Sequence, residues 1–228
     1  MSRETEFQTL ENPATSYVAW ASNEKSWRFY DKVKKEKTVR DLPVEFIVVK
    51  QGSAIKGWDD NAGEGIYSNI ITNVSAQEFR VRCGKSLIAQ GLYSEIKEKI
   101  KGMGAHYEAK LFAVMGDEIV MIDLKGAVLG EWATFLKKNS NNLTSHKIIV
   151  KKHDDRKKGA VKYSVPLFEI GDALTPTEKK LADRAYDLAK GYLDKAGEMS
   201  EVATAVLSDI PVPPSPEIGD GEPDDLPF

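Results

Sequence analysis

The last 28 residues limit which part of this chain can fold. Residues 201–228 contain six of the ten prolines and seven acidic side chains, with no lysine or arginine. Proline removes backbone donors, and few bulky apolar side chains remain there to offset the entropy lost on ordering. We therefore predict a folded domain over residues 1–198, beginning with an N-terminal arm over residues 1–24. Residues 199–228 are predicted to form a disordered, acidic, proline-rich tail.

The charge of the chain divides near the same boundary. The whole chain carries a formal charge of −3, but with the seven tail acids set apart, residues 1–200 hold 32 basic and 28 acidic side chains, a charge of +4. This sign split favours a body that binds a polyanion and a tail that mimics or repels one.

Three features of the sequence indicate the compartment in which the protein works. No apolar run approaches the ~18 residues typical of a membrane span, and the first residues lack the apolar core of a signal peptide. Cys83 is the single cysteine, which suits a reducing compartment. We expect a cytoplasmic protein, in the host cytoplasm if its source is viral, with no membrane contact.

Alternation of apolar residues with period two dominates the body. It predicts strands over 44–49, 66–74, 79–83, 107–115 and 119–124, and a hairpin with arms 147–152 and 161–168 around a basic tip at 153–159. Helical spacing is found over 87–100 and 127–138. We predict a mainly β (α+β) fold, compatible with an OB-fold-like five-stranded β-barrel with an added hairpin and helices. Other small β-barrels fit this pattern about as well.

A last helix is predicted over 175–197. Thr175 is a suitable N-cap, Pro176 suits the first helical position and Glu178 completes a capping box. An apolar stripe follows, formed by Leu181, Ala185, Leu188 and Tyr192.

The tail tip, Asp224 to Phe228, combines two carboxylates, two apolar residues and a terminal phenyl ring that carries the α-carboxylate. A partner protein needs one apolar pocket for Phe228 and nearby Lys or Arg side chains for the acids. Acidic chain ends are common, so composition alone favours a solvated end. The arrangement of Asp224, Asp225, Leu226, Pro227 and Phe228 favours a binding peptide.

Residues 221–228, Gly-Glu-Pro-Asp-Asp-Leu-Pro-Phe, resemble the terminal peptide of bacterial single-stranded DNA-binding proteins, and bacteriophage counterparts likewise end in acids and a phenylalanine. The resemblance implies an OB-fold body, cooperative coverage of single strands, and a tip that docks on replication, recombination and repair proteins. We expect no enzymatic activity and no metal or other cofactor.

The rest of the chain departs from the bacterial pattern. About 40 residues precede the first clear strand, and the domain is enlarged by the capped helix. These departures favour the bacteriophage type. They leave the oligomeric state open, with a homo-oligomer among the expected assemblies.

Basic and aromatic residues interleave along the body, as in proteins that bind phosphates with cations and stack bases on rings. Rings in strands are usually core and lysine runs are usually solvated, but three rings among five bases over 25–35 favour DNA contact. The basic tip of the 147–168 hairpin fits phosphate contact and plain solubility equally well. The predicted DNA-contact residues are Trp27, Arg28, Phe29, Tyr30, Lys32, Lys34, Lys35, Lys56, Trp58, Tyr67, Arg80 and Arg82.

Signals for enzymatic chemistry are weaker. Gly84-Lys85-Ser86 resembles the end of a P-loop, but Phe79 stands where the first glycine is required. Asp59, Asp60 and Glu64 fit either a divalent cation site or an acidic turn. A non-enzymatic single-stranded DNA-binding protein is therefore the main prediction. The alternatives are a recombination mediator or strand-annealing protein and, with less support, a metal-dependent nuclease.

Overall fold

The structure, a computed structural model, describes residues 11–198. Strands account for 51% of this part and helices for 25%, so the prediction of a mainly β fold is confirmed. The predicted tail and tip, 199–228, lie outside the described residues. The elements are β1 Ser16–Ala21, β2 Ser26–Asp31, β3 Glu36–Arg40, β4 Val44–Asp59, β5 Glu64–Ser68, β6 Phe79–Cys83, β7 Ser86–Gly91, α1 Tyr93–Lys101, β8 Ala105–Met115, β9 Glu118–Lys125, α2 Gly126–Asn139, β10 His146–Lys158, β11 Val161–Ala173 and α3 Pro176–Glu198.

One long strand, β4, organises the sheet. It pairs with β8 over most of its 16 residues, with β5 at its C-terminal end and with β10 at its N-terminal end. A register shift between Val48 and Lys50 marks a bulge, which bends a strand and increases its twist. The main path through the sheet is β3-β2-β1-β9-β8-β4-β5-β6-β7. The β1–β9 pair is parallel, and the other strand pairs of the described chain are antiparallel.

The strands β1, β9, β8, β4, β10 and β11 pair in that order, and within residues 11–198 no strand pairing joins β11 to β1. Side chains bridge this gap. The Ser164 N–H donates to Ser22 Oγ at 2.7 Å, Ser164 Oγ donates to the Ser22 carbonyl at 2.6 Å, and Trp20 Nε1 donates to the Ser164 carbonyl at 2.9 Å. The closed five-stranded barrel of the sequence analysis stays a prediction.

The sheet buries side chains on both faces. The inner face, covered by α2 and α1, holds the largest cluster, which includes Trp27, Phe46, Phe79 and Trp132. On the outer face, α3 covers a smaller cluster, where the Phe112 and Tyr192 rings lie 6.0 Å apart. Each fully buried large side chain contributes roughly 1.5–3 kcal/mol, so the two layers fix which way each strand faces.

The start of α3 is capped as its sequence predicts. The Thr175 N–H donates to Glu178 Oε2 at 2.8 Å, and the Glu178 N–H donates to Thr175 Oγ1 at 3.3 Å. Leu188 departs from the predicted apolar stripe, because its side chain is 49% exposed and Ala189 is buried in its place.

Three predicted elements are corrected. Residues 16–21 of the predicted arm form β1, whose two faces are both partly covered, so its sequence lacks a clear alternation. Residues 87–91 belong to β7 and not to a helix. The predicted 153–159 tip is mostly strand: the β10–β11 ladder continues to Lys158 and Val161, because backbone pairing needs no apolar side chains.

Within residues 11–198, no helix has both the length and the apolar character that crossing a bilayer requires.

Candidate nucleic-acid interface

Alternation along β2 divides the predicted basic and aromatic cluster between two faces. Trp27 and Phe29 point into the inner core, with 0% and 4% exposure. The Trp27 ring packs edge-on against Trp20, and the Arg40 guanidinium lies 4.1 Å from the centre of the Phe29 ring. Neither ring is available to stack on a base in this fold, so the predicted DNA contacts of Trp27 and Phe29 are corrected to core packing.

The predicted DNA-contact residues on β4, β5 and β6 come together on the outer face of the sheet. Lys56 on β4 lies opposite Tyr67 on β5, and Tyr67 lies opposite Arg82 on β6. Side chains of directly opposite residues share a face, with Cβ atoms roughly 4.5–5.5 Å apart. Trp58 lies two residues beyond Lys56 on the same face, and its side chain is 47% exposed. We call Lys56, Trp58, Tyr67 and Arg82 the β4–β6 patch.

Gly65 makes room for the Tyr67 ring in this patch. A Cβ atom at Gly65 would lie only 2.6 Å from Tyr67 Cζ, so the ring lies across the backbone of its own strand. Because Gly65 is the direct partner of Trp58, this places the Tyr67 ring beside Trp58. Burial raises the pKa of Tyr67, which keeps the phenol neutral at physiological pH.

A buried charge network lies beside Lys56 on the same face of the sheet. Lys110 Nζ lies 2.5 Å from Glu108 Oε2 and 2.8 Å from Asp123 Oδ1, while Lys56 Nζ lies 3.7 Å from Asp123 Oδ2. Burial opposes the charged form of Lys110, but Asp123 and Glu108 outweigh it and raise its pKa. Burial likewise opposes ionised Glu108, but the Lys110 charge and the hydrogen bond from His106 hold its pKa well below the usual range. Lys110 and Glu108 are therefore both held in their charged forms.

Arg28 and Tyr30 lie on the same outer face but farther along the sheet. Arg28 is opposite Ala19 on β1, which pairs with Asp123 on β9. Four strand spacings, about 19 Å at 4.8 Å each, separate β2 from β4. The Arg28 guanidinium forms an ion pair with Glu24, and the Tyr30 side chain is half-buried. Arg80 is exposed two residues before Arg82 on β6, beside the patch.

Lys32, Lys34 and Lys35 do not join this surface, and their contact with DNA stays a prediction. They follow β2 in a turn, where Lys32 Nζ donates to the Asn12 carbonyl at 2.6 Å and Lys34 Nζ lies 3.6 Å from Asp31. This turn is at the opposite end of the strands from Trp58. The separation is about eight residues along β8, roughly 26 Å at 3.3 Å per residue.

The β10–β11 hairpin reaches the same end of the sheet as the β4–β6 patch. Lys25, in the turn after β1, lies 2.6 Å from Asp155 on the hairpin. The parallel strands β1 and β9 both end here, as does β4. The exposed lysines near the hairpin tip are Lys157, Lys158 and Lys162.

Two residues near the patch were not predicted. His106 lies opposite Lys56, and Leu87 lies opposite Arg82 with 51% exposure. The alternation of residues 107–115 places His106 on the face away from Tyr107, so the sequence pattern could have located it. Leu87 was not predicted because the sequence pattern placed it in a helix over 87–100, whereas it belongs to β7.

In the acidic turn after β4, the Asp59 carboxylate accepts hydrogen bonds from the backbone of the turn itself. Asp59 Oδ1 accepts hydrogen bonds from the N–H groups of Asn61 and Ala62 at 2.9 and 3.2 Å. Among residues 11–198, no three His, Cys, Asp or Glu side chains are grouped so as to hold a metal ion. The nuclease alternative, which uses Asp59, Asp60 and Glu64, remains to be tested.

Comparison with protein-family models, with curated proteins and with solved structures gave no match to this chain.

Proposed function

We propose that this chain binds single-stranded DNA without sequence specificity and without catalysing a reaction. The observation that carries the proposal is the β4–β6 patch, in which a strand ladder aligns Lys56, Tyr67 and Arg82 beside the exposed Trp58. Single-strand binders combine aromatic platforms with cations along the backbone path. In this proposal Trp58 and Tyr67 stack on bases, and Lys56 and Arg82 contact phosphates.

An OB-type arrangement is part of the proposal and is supported by the connectivity. The strands β4, β8 and β9 form an antiparallel meander, α2 links β9 to β10, and β10 pairs with the start of β4. In the proposed arrangement these four strands, together with β11, correspond to the five strands of an OB-fold. Residues 60–104 are then an enlarged loop between the first two strands, and β1 fills the space between β9 and β11.

This assignment agrees with the location of the patch. OB-folds bind oligonucleotides across the second and third strands and with the loops after the first and fourth strands. The equivalents here are β8 with β9, the 60–104 segment, and the β10–β11 hairpin. The path therefore runs from the β4–β6 patch past His106 and Lys125 toward the hairpin lysines.

We propose that the acidic tail competes with DNA for this surface and that Asp224, Asp225, Leu226, Pro227 and Phe228 bind replication and recombination proteins. The direction of α3 supports the first part. Ala185 clusters with Ile47 and Val114, whereas Leu193 lies 3.9 Å from a Cβ position at Gly52. The helix therefore runs toward Lys56, which is four residues beyond Gly52, or roughly 13 Å along β4.

A gel-shift series tests DNA binding and separates it from the two alternatives. Labelled single strands, duplex and complementary strands are each incubated with magnesium and with chelator. We expect retention of the single strand in both conditions, with affinity falling by roughly 0.7 log units per phosphate contact for each log unit of salt. Equal retention of duplex or a flat salt response contradicts the proposal. Faster pairing of complementary strands indicates an annealing protein, and metal-dependent degradation indicates a nuclease.

Two tail variants test the competition and the partner site separately. Deleting residues 217–228 removes five acidic side chains and Phe228, so we expect tighter DNA binding at low salt and loss of pull-down of polymerase, helicase or primase components. Phe228→Ala keeps the charge, so it should lose the pull-down while binding DNA as the wild type does. Unchanged affinity and unchanged pull-down for both variants refute this part.

A further inference from the structure

The two end strands of the main sheet path differ in how they meet solvent. The sequence of β3, Glu-Lys-Thr-Val-Arg, places three charges in five residues, all exposed. Charged side chains on an edge strand discourage pairing with another chain. The sequence of β7, Ser-Leu-Ile-Ala-Gln-Gly, has no charge and no proline. Its edge therefore lacks these two protections.

The outer edge of β7 has open backbone groups. The strand pairs with β6 from Phe79–Gly91 to Cys83–Ser86 and is the last strand of the path. Within the part of the chain that the structure describes, residues 86–91 form no backbone–backbone hydrogen bond outside that ladder. An unpaired edge of this kind is a template for strand addition.

One end of β7 is basic and the other end is acidic, so an antiparallel copy of the strand would place opposite charges next to each other. Lys85 precedes Ser86 at one end and is exposed. At the other end, Glu78 accepts a hydrogen bond from Gln90 at 2.9 Å, and the Glu95 carboxylate lies against Gly91. An antiparallel copy of β7 would bring its own Lys85 to this acidic end, and its acidic end to the first Lys85. The charges that flank β7 therefore favour pairing with a second copy of β7 over pairing with an unrelated strand.

We propose that two copies of this chain pair through β7 in antiparallel orientation about a two-fold axis. Such an interface is isologous, so each contact occurs twice. The axis is perpendicular to the sheet, and the outer faces of both copies therefore point the same way. Leu87, which is exposed on that face, lies near its equivalent in the other copy. The two β4–β6 patches then share one continuous surface.

Sedimentation of the full chain without DNA tests the pairing independently of the proposed function. We expect a concentration-dependent dimer for the wild type. Lys85→Glu and Glu78→Lys should each raise the dimer dissociation constant by about tenfold, because like charges then meet. The double variant K85E/E78K restores both ion pairs and should dimerise like the wild type.

A second pair of variants guards against a folding defect. Leu87→Lys places a charge near the axis, whereas Leu188→Lys makes the same change on α3 at an equally exposed position, 49% against 51%. L87K should be monomeric and L188K should remain a dimer. A wild type that is monomeric up to 100-fold above the protein concentration of the gel shifts overturns the proposal. So does a dimer that K85E, E78K and L87K leave unchanged.

Discussion

Tyr67 on β5 lies directly opposite Lys56 on β4 and directly opposite Arg82 on β6. A tyrosine therefore stands between two basic residues in one row across the outer face of the sheet. The three strands that carry them are joined by backbone ladders, and Gly65 leaves room for the ring to lie flat. Because rigid strands hold these groups, little ordering entropy is lost when a ligand binds them.

Removing the two cations of the patch should weaken DNA binding and its salt dependence. For Lys56→Gln with Arg82→Gln, we expect the slope of log affinity against log salt to fall by roughly 1.4, at ~0.7 for each phosphate contact. The matched control, Lys34→Gln with Lys35→Gln, removes the same charge from the turn at the other end of the strands. Salt titrations by fluorescence anisotropy that show equal losses for both pairs contradict the patch.

The ring of Tyr67 should matter more than its hydroxyl group. Tyr67→Ala removes a stacking platform worth roughly 1–3 kcal/mol per base, whereas Tyr67→Phe keeps the ring and should bind as the wild type does. Tyr186→Ala, on the exposed side of α3, is the control for loss of a tyrosine. Oligo-dT affinity measured for the three variants decides the point, and a normal affinity for Y67A would exclude stacking on this residue.

Lys110 should be the charged residue on which stability depends most. Lys110→Met leaves the carboxylates of Glu108 and Asp123 without their closest cation, and breaking a buried ion pair costs about 3–5 kcal/mol of unfolding free energy. Lys37→Met, on the exposed strand β3, should change it by less than about 0.5 kcal/mol. Urea unfolding measures both.

The double variant E108Q/K110M provides the internal check on that network. Because it removes a cation together with one of the anions it compensates, its loss should be smaller than the sum of the two single losses. Additive losses would mean that the two side chains do not interact in the way their 2.5 Å separation indicates.

The cap of α3 should become acid-sensitive through Glu178. Hydrogen bonds from Lys147, at 2.8 Å, and from Thr175 lower the pKa of Glu178 to about 2. A carboxyl group with a depressed folded-state pKa stabilises the fold above its unfolded pKa of about 4.5 and loses that contribution as pH falls toward 2. Thermal unfolding should therefore show a Glu178→Gln deficit at pH 6 that shrinks between pH 4.5 and 2. A deficit independent of pH contradicts this role of the charge.

Local signals in the sequence predicted much of the fold. The capping residues Thr175 and Glu178 marked the start of α3, and alternation located β6, β8 and β9. The same alternation divided residues 27–30 between two faces, but it did not show which face was buried. That depended on β1 and β9, which are distant in sequence. Trp27 and Phe29 were consequently assigned to the wrong environment.

The patch itself depends on register, which the sequence did not reveal. Lys56, Tyr67 and Arg82 come together only because β4, β5 and β6 pair at particular residues. The helical spacing of Leu92, Ile96 and Ile100 was correct for α1, but extending it back to Leu87 hid the edge strand β7. Gly91, with φ of 148°, separates the strand from the helix.

Tryptophan fluorescence during titration with oligo-dT tests the central claim most directly. Of the four tryptophans, Trp27 and Trp132 are buried, and Trp20 is half-buried and hydrogen-bonded to the Ser164 carbonyl. Trp58, on the patch, is 47% exposed. We predict quenching in the wild type and loss of most of it in Trp58→Phe. A wild type that binds oligo-dT without quenching, or a W58F variant that is quenched as fully as the wild type, would contradict DNA binding on this surface.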